Sequence, residues 1–250
     1  QLITLIKGAF SSATLQGLDL MEKNLKLLKE EQRDELASEL IDRLDTSLGT
    51  NFTEVCDNLL ETIFARSRTL GENASKRLVG ILSEKVLPRF DELSPSVKIV
   101  VTKKVFSLSK FTETPDILKA LYENVFLHFP TAESENKKAN AAVVEACLAA
   151  IYRLFTRFHT AAVEIIGIPI VRTGQPSELE GHEPDEEKQK QFRDRLSFLY
   201  EYGTAFVIGQ KTRKDSIRQD RSLSELEKRD NLRIASTGIQ MGNNIKHYSQ

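Results

Sequence analysis

The side chains of this chain best suited to nucleophilic or metal chemistry are two cysteines, Cys56 and Cys147, and four histidines, His128, His159, His182 and His247. Their spacing argues against both uses. Neither cysteine belongs to a CxxC pair, and each lies on an apolar helical face, so both read as buried thiols of a reducing compartment. The histidines are dispersed, with no second histidine at ligand spacing. His182 lies in GHEPDEE beside Glu183, Asp185, Glu186 and Glu187, but an oxygen cage needs rigid, convergent ligands, and a solvated acidic loop is the expectation here. There is no GxxxxGK[ST], GxGxxG, GxSxG or HExxH, and acids fall on polar helix faces rather than in a recognisable acid–base pair. The expectation is a non-enzymatic protein with no catalytic residue, cofactor or metal.

Binding chemistry has one conspicuous candidate. The stretch QKTRKDSIRQDRSLSELEKRD, Gln210 to Asp230, holds seven Lys and Arg among twenty-one residues. Lys211, Arg213, Lys214, Arg218 and Arg221 against Asp215 and Asp220 leave a local excess of +3, a modest field screened beyond about 8 Å at physiological salt. These five cations are the candidate partner-binding residues. They read as solvated helix ends, as a contact for an acidic protein, or as a grip on RNA or a polyanion such as heparin. Phe198, Tyr200, Tyr202 and Phe206 lie upstream and could stack on bases, though helical spacing fits a core equally. A membrane surface is disfavoured, because no large apolar face accompanies the charges.

The positioning elements are helical. Twelve Gly and seven Pro in 250 residues fall below the average share of about 12%, which favours long helices over many strands and turns. Basic and acidic side chains nearly cancel, for a net charge of −1, so no whole-protein field selects nucleic acid or membrane. No apolar run approaches about 18 residues, and QLITLIKGAFSSATL lacks the pattern of a signal peptide. The chain begins at Gln1 and reads as a piece of a longer protein. The sequons at Asn51 and Asn73 read as chance matches at helix starts.

Apolar residues step by three and four almost throughout: Leu15, Leu18, Met21, Leu25 and Leu28; Leu36, Leu40, Leu44 and Leu48; Phe52, Val55, Leu59 and Ile63; Leu78, Leu82, Val86 and Phe90. The pattern continues at Val97, Val101, Val105, Leu108 and Phe111, then Ile117, Leu121 and Val125, then Val144, Leu148, Ile151, Phe155 and Phe158. Asn51 with Glu54, Ser94-Pro95 and Thr114-Pro115-Asp116 supply start signals. Gly71 suits a left-handed position, Pro88 should kink or end its helix, and Pro130 should end the helix carrying Phe126 and Phe129. Alternate helix starts near positions 14, 51, 95 and 136 match the spacing of HEAT or armadillo helix pairs. The expected fold is therefore all-α, a HEAT/armadillo-like α-solenoid. Residues 1–92 form HEAT-like repeats and 93–250 armadillo-like repeats, interrupted by a loop at about 171–185. It closes with two helices, from Glu186 to about Arg218 and from Leu223 to about Tyr248. Their stripes are Phe192, Leu196, Leu199, Gly203, Phe206 and Ile234, Gly238, Met241, Ile245, Tyr248. Gly203, Ala205, Gly209, Ala235, Gly238 and Gly242 would notch them for close antiparallel approach, with the basic stretch at the tip. Ala142, Val143, Ala146, Ala149 and Ala150 make another helix small-sided, for close packing or a partner groove.

The run KRLVGILSEKVLPRF, the helix VEACLAAIYRLFTRF, QFRDRLSFLYEYGTAFV and finally STGIQMGNNIK resemble, in order, the C-terminal half of the apoptosis inhibitor 5 family, also called anti-apoptosis clone 11. The resemblance spans roughly Leu2 to Tyr248. It implies a monomeric HEAT-then-armadillo scaffold, nuclear and also cytoplasmic, that suppresses apoptosis. The partners it implies are proteins: the chromatin-condensation factor Acinus, a heparin-binding fibroblast growth factor, or the DEAD-box helicase of mRNA export. RNA is secondary, with an RNA-binding or mRNA-export role through residues 211–221 as the alternative. The family's leucine-zipper helix falls on Val144 to Phe158, where Ala162 takes the next heptad step and the stripe fits a repeat core better. The basic tail and Arg-Gly-rich end typical of animal members are not among these 250 residues.

Overall fold

A computed structural model describes residues 1–12, 14–60, 63, 70–129, 140–167, 184–220 and 222–250. Every regular element among them is helical, so the fold is all-α. The chain divides into two compact units, Gln1–Asn124 and Val125–Gln250. The boundary at 92/93 expected from repeat type is a different division from this one by compactness. Arg221, His182, Pro130 and the loop from 171 to 183 lie outside the described residues.

The first unit runs α1 (Leu2–Ser12), α2 (Thr14–Lys23), a 3₁₀ turn Leu25–Leu27, α3 (Glu30–Thr50), α4 (Phe52–Val55), α5 (Gly71–Ile81), α6 (Pro95–Ser109) and α7 (Asp116–Asn124). The starts expected near positions 14, 51 and 95 are found at Thr14, Phe52 and Pro95. The long helix α3 packs against α1, α2 and α5. Leu36, Leu40, Leu44 and Leu48 are all buried, joined by Ala37 and Ile41. A strict four-residue step turns about 40° further at each repeat of an α-helix, so these leucines sweep a broad face that serves several neighbours.

Leu78, Leu82, Val86 and Phe90 have the same step and are also all buried, but here the helix itself changes pitch. Pro88 has no N–H to bond Glu84 and its ring crowds that carbonyl. The chain widens into a π turn over Leu82–Val86, tightens to 3₁₀ over Leu87–Glu92, and kinks at Arg89 (φ −113, ψ 26). The wide turn rotates less per residue, which returns the stripe to one face.

The buried hydroxyls are satisfied within their own helices. Ser75 donates to the Gly71 carbonyl at 2.8 Å, Thr102 to Lys98 at 2.7 Å and Ser109 to Phe106 at 2.7 Å. Gly71 is left-handed as expected, at φ +86, with Asp34 Oδ1 3.2 Å from where a Cβ would lie. Start chemistry differs in detail. The Ser94 hydroxyl does not cap α6 but donates to Asp57 Oδ1 at 3.0 Å, leaving Pro95 to set the first turn. Asn51 makes no side-chain cap; its amide donates to Glu54 instead. Pro115 precedes α7 rather than opening it, its carbonyl accepting the Lys119 N–H at 3.0 Å.

The second unit begins with a 3₁₀ turn, Phe126–His128, where a longer helix was expected. It continues with α8 (Ala141–Arg157), α9 (His159–Ile165), α10 (Glu186–Gln219) and α11 (Glu225–Tyr248). Asn140 caps α8 by accepting the N–H groups of Ala142 and Val143. The first part of α8 is buried on most sides: Val144, Leu148 and Ile151 of the expected stripe are at most 4% exposed, and so are Cys147, Ala150 and Leu154, whereas Phe155 and Phe158 of that stripe are half-buried and Tyr152, Arg153, Thr156 and Arg157 are exposed. Of the small residues, Val143, Ala146 and Ala150 are buried and Ala142 and Ala149 are half-buried.

Two predictions follow from this packing. Leu148→Asp puts an unpaired carboxylate into the α8 core and should remove several kcal/mol of stability, read as loss of the cooperative thermal transition; a parent-like melt refutes the stripe assignment. Burial pushes the Cys56 thiol up to about 12, against about 8.5 when unfolded. Stability from this group is therefore full below about pH 8.5 and is lost as pH rises toward 12. Urea unfolding across that range should show a flatter fall for Cys56→Ala than for the parent.

Candidate functional site

The candidate cations lie on the paired helices α10 and α11, and the chemistry of their surface begins with how that pair is held. At the base, Asp185 caps α10 by accepting the Lys188 N–H at 3.0 Å, and this bond holds its carboxyl below the usual range. Gly167, at φ +74, accepts from the Asp185 N–H at 3.0 Å and from the Gln189 amide at 2.8 Å. A Cβ there would fall 2.7 Å from that of Asp185, so only glycine lets the end of α9 close onto the start of α10. One turn further, the Phe192 ring sits 5.5 Å from Phe126 and 5.9 Å from Phe155. Arg195 donates to the Leu127 carbonyl through Nε (2.9 Å) and Nη2 (2.5 Å).

Beyond the base, α10 and α11 are each other's principal neighbours. Leu199, Gly203, Val207 and Ile217 of α10 face Ala235, Gly238, Gly242 and Ile245 of α11, all buried. The backbones nearly touch. A Cβ on Gly203 would lie 3.0 Å from the Gly242 carbonyl oxygen, and one on Gly242 would lie 2.6 Å from Val207 Cγ2. Gly238 leaves room for the Gln210 side chain. Two expected notches are not in the seam: Gly209 has nothing near it and Ala205 is exposed. Likewise Ile234 is 52% exposed and Ala235 takes the inward place. The turn closes with a capping box in which Ser224 accepts the Glu227 N–H and Glu227 accepts the Ser224 N–H; the Ser224 hydroxyl, donating to Glu227 Oε2 at 2.6 Å, and then the Ser224 N–H hold the Glu227 carboxyl low.

Of the predicted contact residues, Lys211, Arg213 and Arg218 are exposed and Lys214 is half-buried. Lys214 donates to the Ser236 hydroxyl at 3.1 Å, tying the two helices, and Arg218 lies 3.4 Å from Asp215. Such an exposed pair is worth little and leaves Arg218 available. The aromatics upstream split by position. Phe198, Tyr202 and Phe206 form a ladder of near-parallel rings, 6.4 and 6.2 Å apart, and burial raises the Tyr202 phenol above its usual range. Tyr200 is on another side, with Lys246 Nζ 5.3 Å from its ring centroid.

Among the described residues there is no cluster of three His, Cys, Asp or Glu suited to a metal ion, and no described helix is long and apolar enough to cross a membrane. In the first unit a cleft of about 420 Å³ is lined by Lys76, Glu84, Thr112, Asp116 and Lys119; its lysines already pair with Glu72 and Glu123.

The model of the apoptosis inhibitory protein 5 family matches residues 2–250. The chain belongs to that family. It is a family of non-enzymatic apoptosis inhibitors. No curated protein and no solved structure matches the chain. In α8 the residues Val144, Leu148 and Ile151 are buried, while Phe155 is half-buried against Phe192 within the same unit.

Sequence reasoning missed the fixings of this hairpin: the Arg195 bond to Leu127, and the 2.5 Å bond from the Asn244 amide to Glu145 that joins α11 to α8. Their signals are only single polar residues at otherwise apolar seams. If glycine is what brings the helices together, Gly242→Val should splay the hairpin and lower Tm by several degrees, whereas Gly209→Ala should raise it slightly, since glycine costs about 1 kcal/mol in a helix. Thermal melts of the two variants check the seam; equal melting temperatures contradict it.

Proposed function

We propose that this chain suppresses apoptosis as a nuclear, also cytoplasmic, monomeric interaction scaffold that binds protein partners rather than turning over a substrate. The observation that carries the reading is the family match over residues 2–250. Its partners are of the Acinus, fibroblast growth factor or mRNA-export helicase kind, and its helices stack as HEAT and armadillo pairs. The outer half of the α10–α11 hairpin, with Lys211, Arg213, Lys214 and Arg218, is a docking element of the scaffold. Support for this comes from exposure: Lys211, Arg213 and Arg218 stand exposed on a two-helix frame, so the backbone needs no ordering when a partner engages them, and the cost is confined to about 0.5–1.5 kcal/mol for each side chain immobilised.

A second reading, RNA binding for an mRNA-export role, draws on the Phe198–Tyr202–Phe206 ladder lower on α10. Base stacking on such rings tolerates any sequence. Binding of that kind weakens with salt at about −0.7 in log K per neutralised phosphate on single strands.

Affinity capture from nuclear extract, with and without nuclease, separates the two. Protein partners should survive nuclease treatment, and a variant with Glu at Lys211, Arg213, Lys214 and Arg218 should lose at least one of them. Recovery that requires intact RNA overturns the scaffold reading in favour of the second.

A further inference from the structure

The turn at the tip of the hairpin carries a hydroxyl that neither the packing nor the docking reading uses. Helix α10 ends at Gln219 and α11 begins at Glu225. The two residues that flank the helices are extended, Asp220 at φ −70, ψ 112 and Ser224 at φ −65, ψ 159. Between them Ser222 is exposed and outside any helix. Its hydroxyl donates to Asp220 Oδ1 at 2.6 Å, and its N–H donates to the same oxygen at 2.8 Å.

A serine read by an acid-seeking kinase needs an accessible hydroxyl, a backbone free to lie extended, and a carboxylate at a fixed step toward the C-terminus. Among the described serines and threonines, three have a carboxylate three residues on: Thr212, Ser222 and Ser224. Thr212 lies inside α10 and gives its hydroxyl to the Ile208 carbonyl at 3.2 Å, so its backbone extends only if the helix unwinds. The acid that follows Ser224 is Glu227, which the Ser224 hydroxyl itself holds at 2.6 Å in the capping box. Ser222 meets all three needs. It lies off both helices, and the side chain of its acid, Glu225, is 95% exposed.

The surroundings also suit the product. The Lys228 side chain is only 22% exposed, its ammonium lies 3.6 Å from Glu225, and its charge acts on Asp220, the residue that holds Ser222. A phosphate on Ser222 Oγ would carry about −1.5 to −2 charge at pH 7 and three acceptor oxygens, and would compete with both carboxylates for that ammonium.

We propose that Ser222 is the acceptor of an acidophilic protein kinase, and that its phosphate switches off the cationic tip. Ser222 Oγ attacks the γ-phosphorus of ATP and the bond from that phosphorus to the β–γ bridging oxygen breaks. ADP leaves with the electron pair, and the hydroxyl proton passes to the carboxylate base of the kinase. The bond from the hydroxyl to Asp220 is lost with that proton. The local excess of +3, carried by Lys211, Arg213, Lys214, Arg218 and Arg221 against Asp215 and Asp220, falls to about +1. The switch rests on the docking reading above; the acceptor rests on the turn alone.

The full 250-residue chain is incubated with ATP and a purified kinase that requires a carboxylate three residues after its serine, and phosphate is read by intact mass and peptide mapping. One phosphate on Ser222 is the expected result, abolished in Ser222→Ala with parent-like melting. Glu225→Gln should slow transfer at least about tenfold, the worth of one charge-assisted contact, while Glu227→Gln should change it less than about twofold. No transfer, transfer to Ser224 or Thr212 instead, or a rate indifferent to Glu225→Gln overturns the acceptor. Phosphorylated and unmodified chains are then compared in the nuclease-treated capture. Loss of the partners that substitution of Lys211, Arg213, Lys214 and Arg218 also releases supports the switch. Their retention on a fully phosphorylated chain refutes the switch and leaves the acceptor standing. If neither form captures a protein while Ser222 takes its phosphate as expected, the docking reading fails, and the switch with it.

Discussion

The backbone contact between α10 and α11 at Gly203 and Gly242 is the constraint on which the functional surface depends. Two helices carrying ordinary side chains pack 8–10 Å apart; here the Gly242 carbonyl lies where a Gly203 Cβ would need room. Close approach fixes rotation as well as distance. Because neither helix can turn about its axis without driving Val207 or Ile245 into the partner backbone, every other residue on the pair has a determined side. The bond from Lys214 on α10 to Ser236 on α11 is a consequence of that locked rotation. Glycine weakens each helix intrinsically by about 1 kcal/mol, and the dispersion contacts of touching backbones offset it.

The two units reach helix packing by different routes. In the first, α3 is a long, regular helix whose leucines sweep a wide arc, and the neighbouring segment meets its own packing only by changing pitch around Pro88. Ion pairs such as Lys7 with Glu35 and Lys85 with Asp45 join its helices at the surface, where solvent screening keeps their contribution small. In the second, the centre is a helix of small residues, α8, and the joints are aromatic: Phe126, Phe155 and Phe192 converge at the hairpin base.

The stripes were legible in the sequence because burial acts residue by residue and leaves a period in the order of types. Leu36, Leu40, Leu44 and Leu48, and again Val144, Leu148 and Ile151, were readable for that reason and are buried. The hairpin and the position of its cations were legible too. What could not be read was rotation. Ile234 and Ala235 are neighbours, and hydrophobicity favours the isoleucine as the inward residue, yet a seam this close admits only the alanine. Gly209 looked like Gly203 until its surroundings were known. The Ser94 hydroxyl had two uses, a cap or Asp57, and the choice depends on a helix 37 residues away.

The hairpin base has a mechanical consequence. Arg195 and Phe192 hold α10 near its start, and its 34 residues extend about 50 Å at 1.5 Å per residue. A stiff rod fastened near one end is a lever: with about 36 Å of helix beyond Arg195, a tilt of about five degrees at the fastening moves the far end by about 3 Å. Any tilt permitted at the base, where Asn244 also ties α11 to Glu145 of α8, is thereby magnified at the outer cations without unwinding either helix.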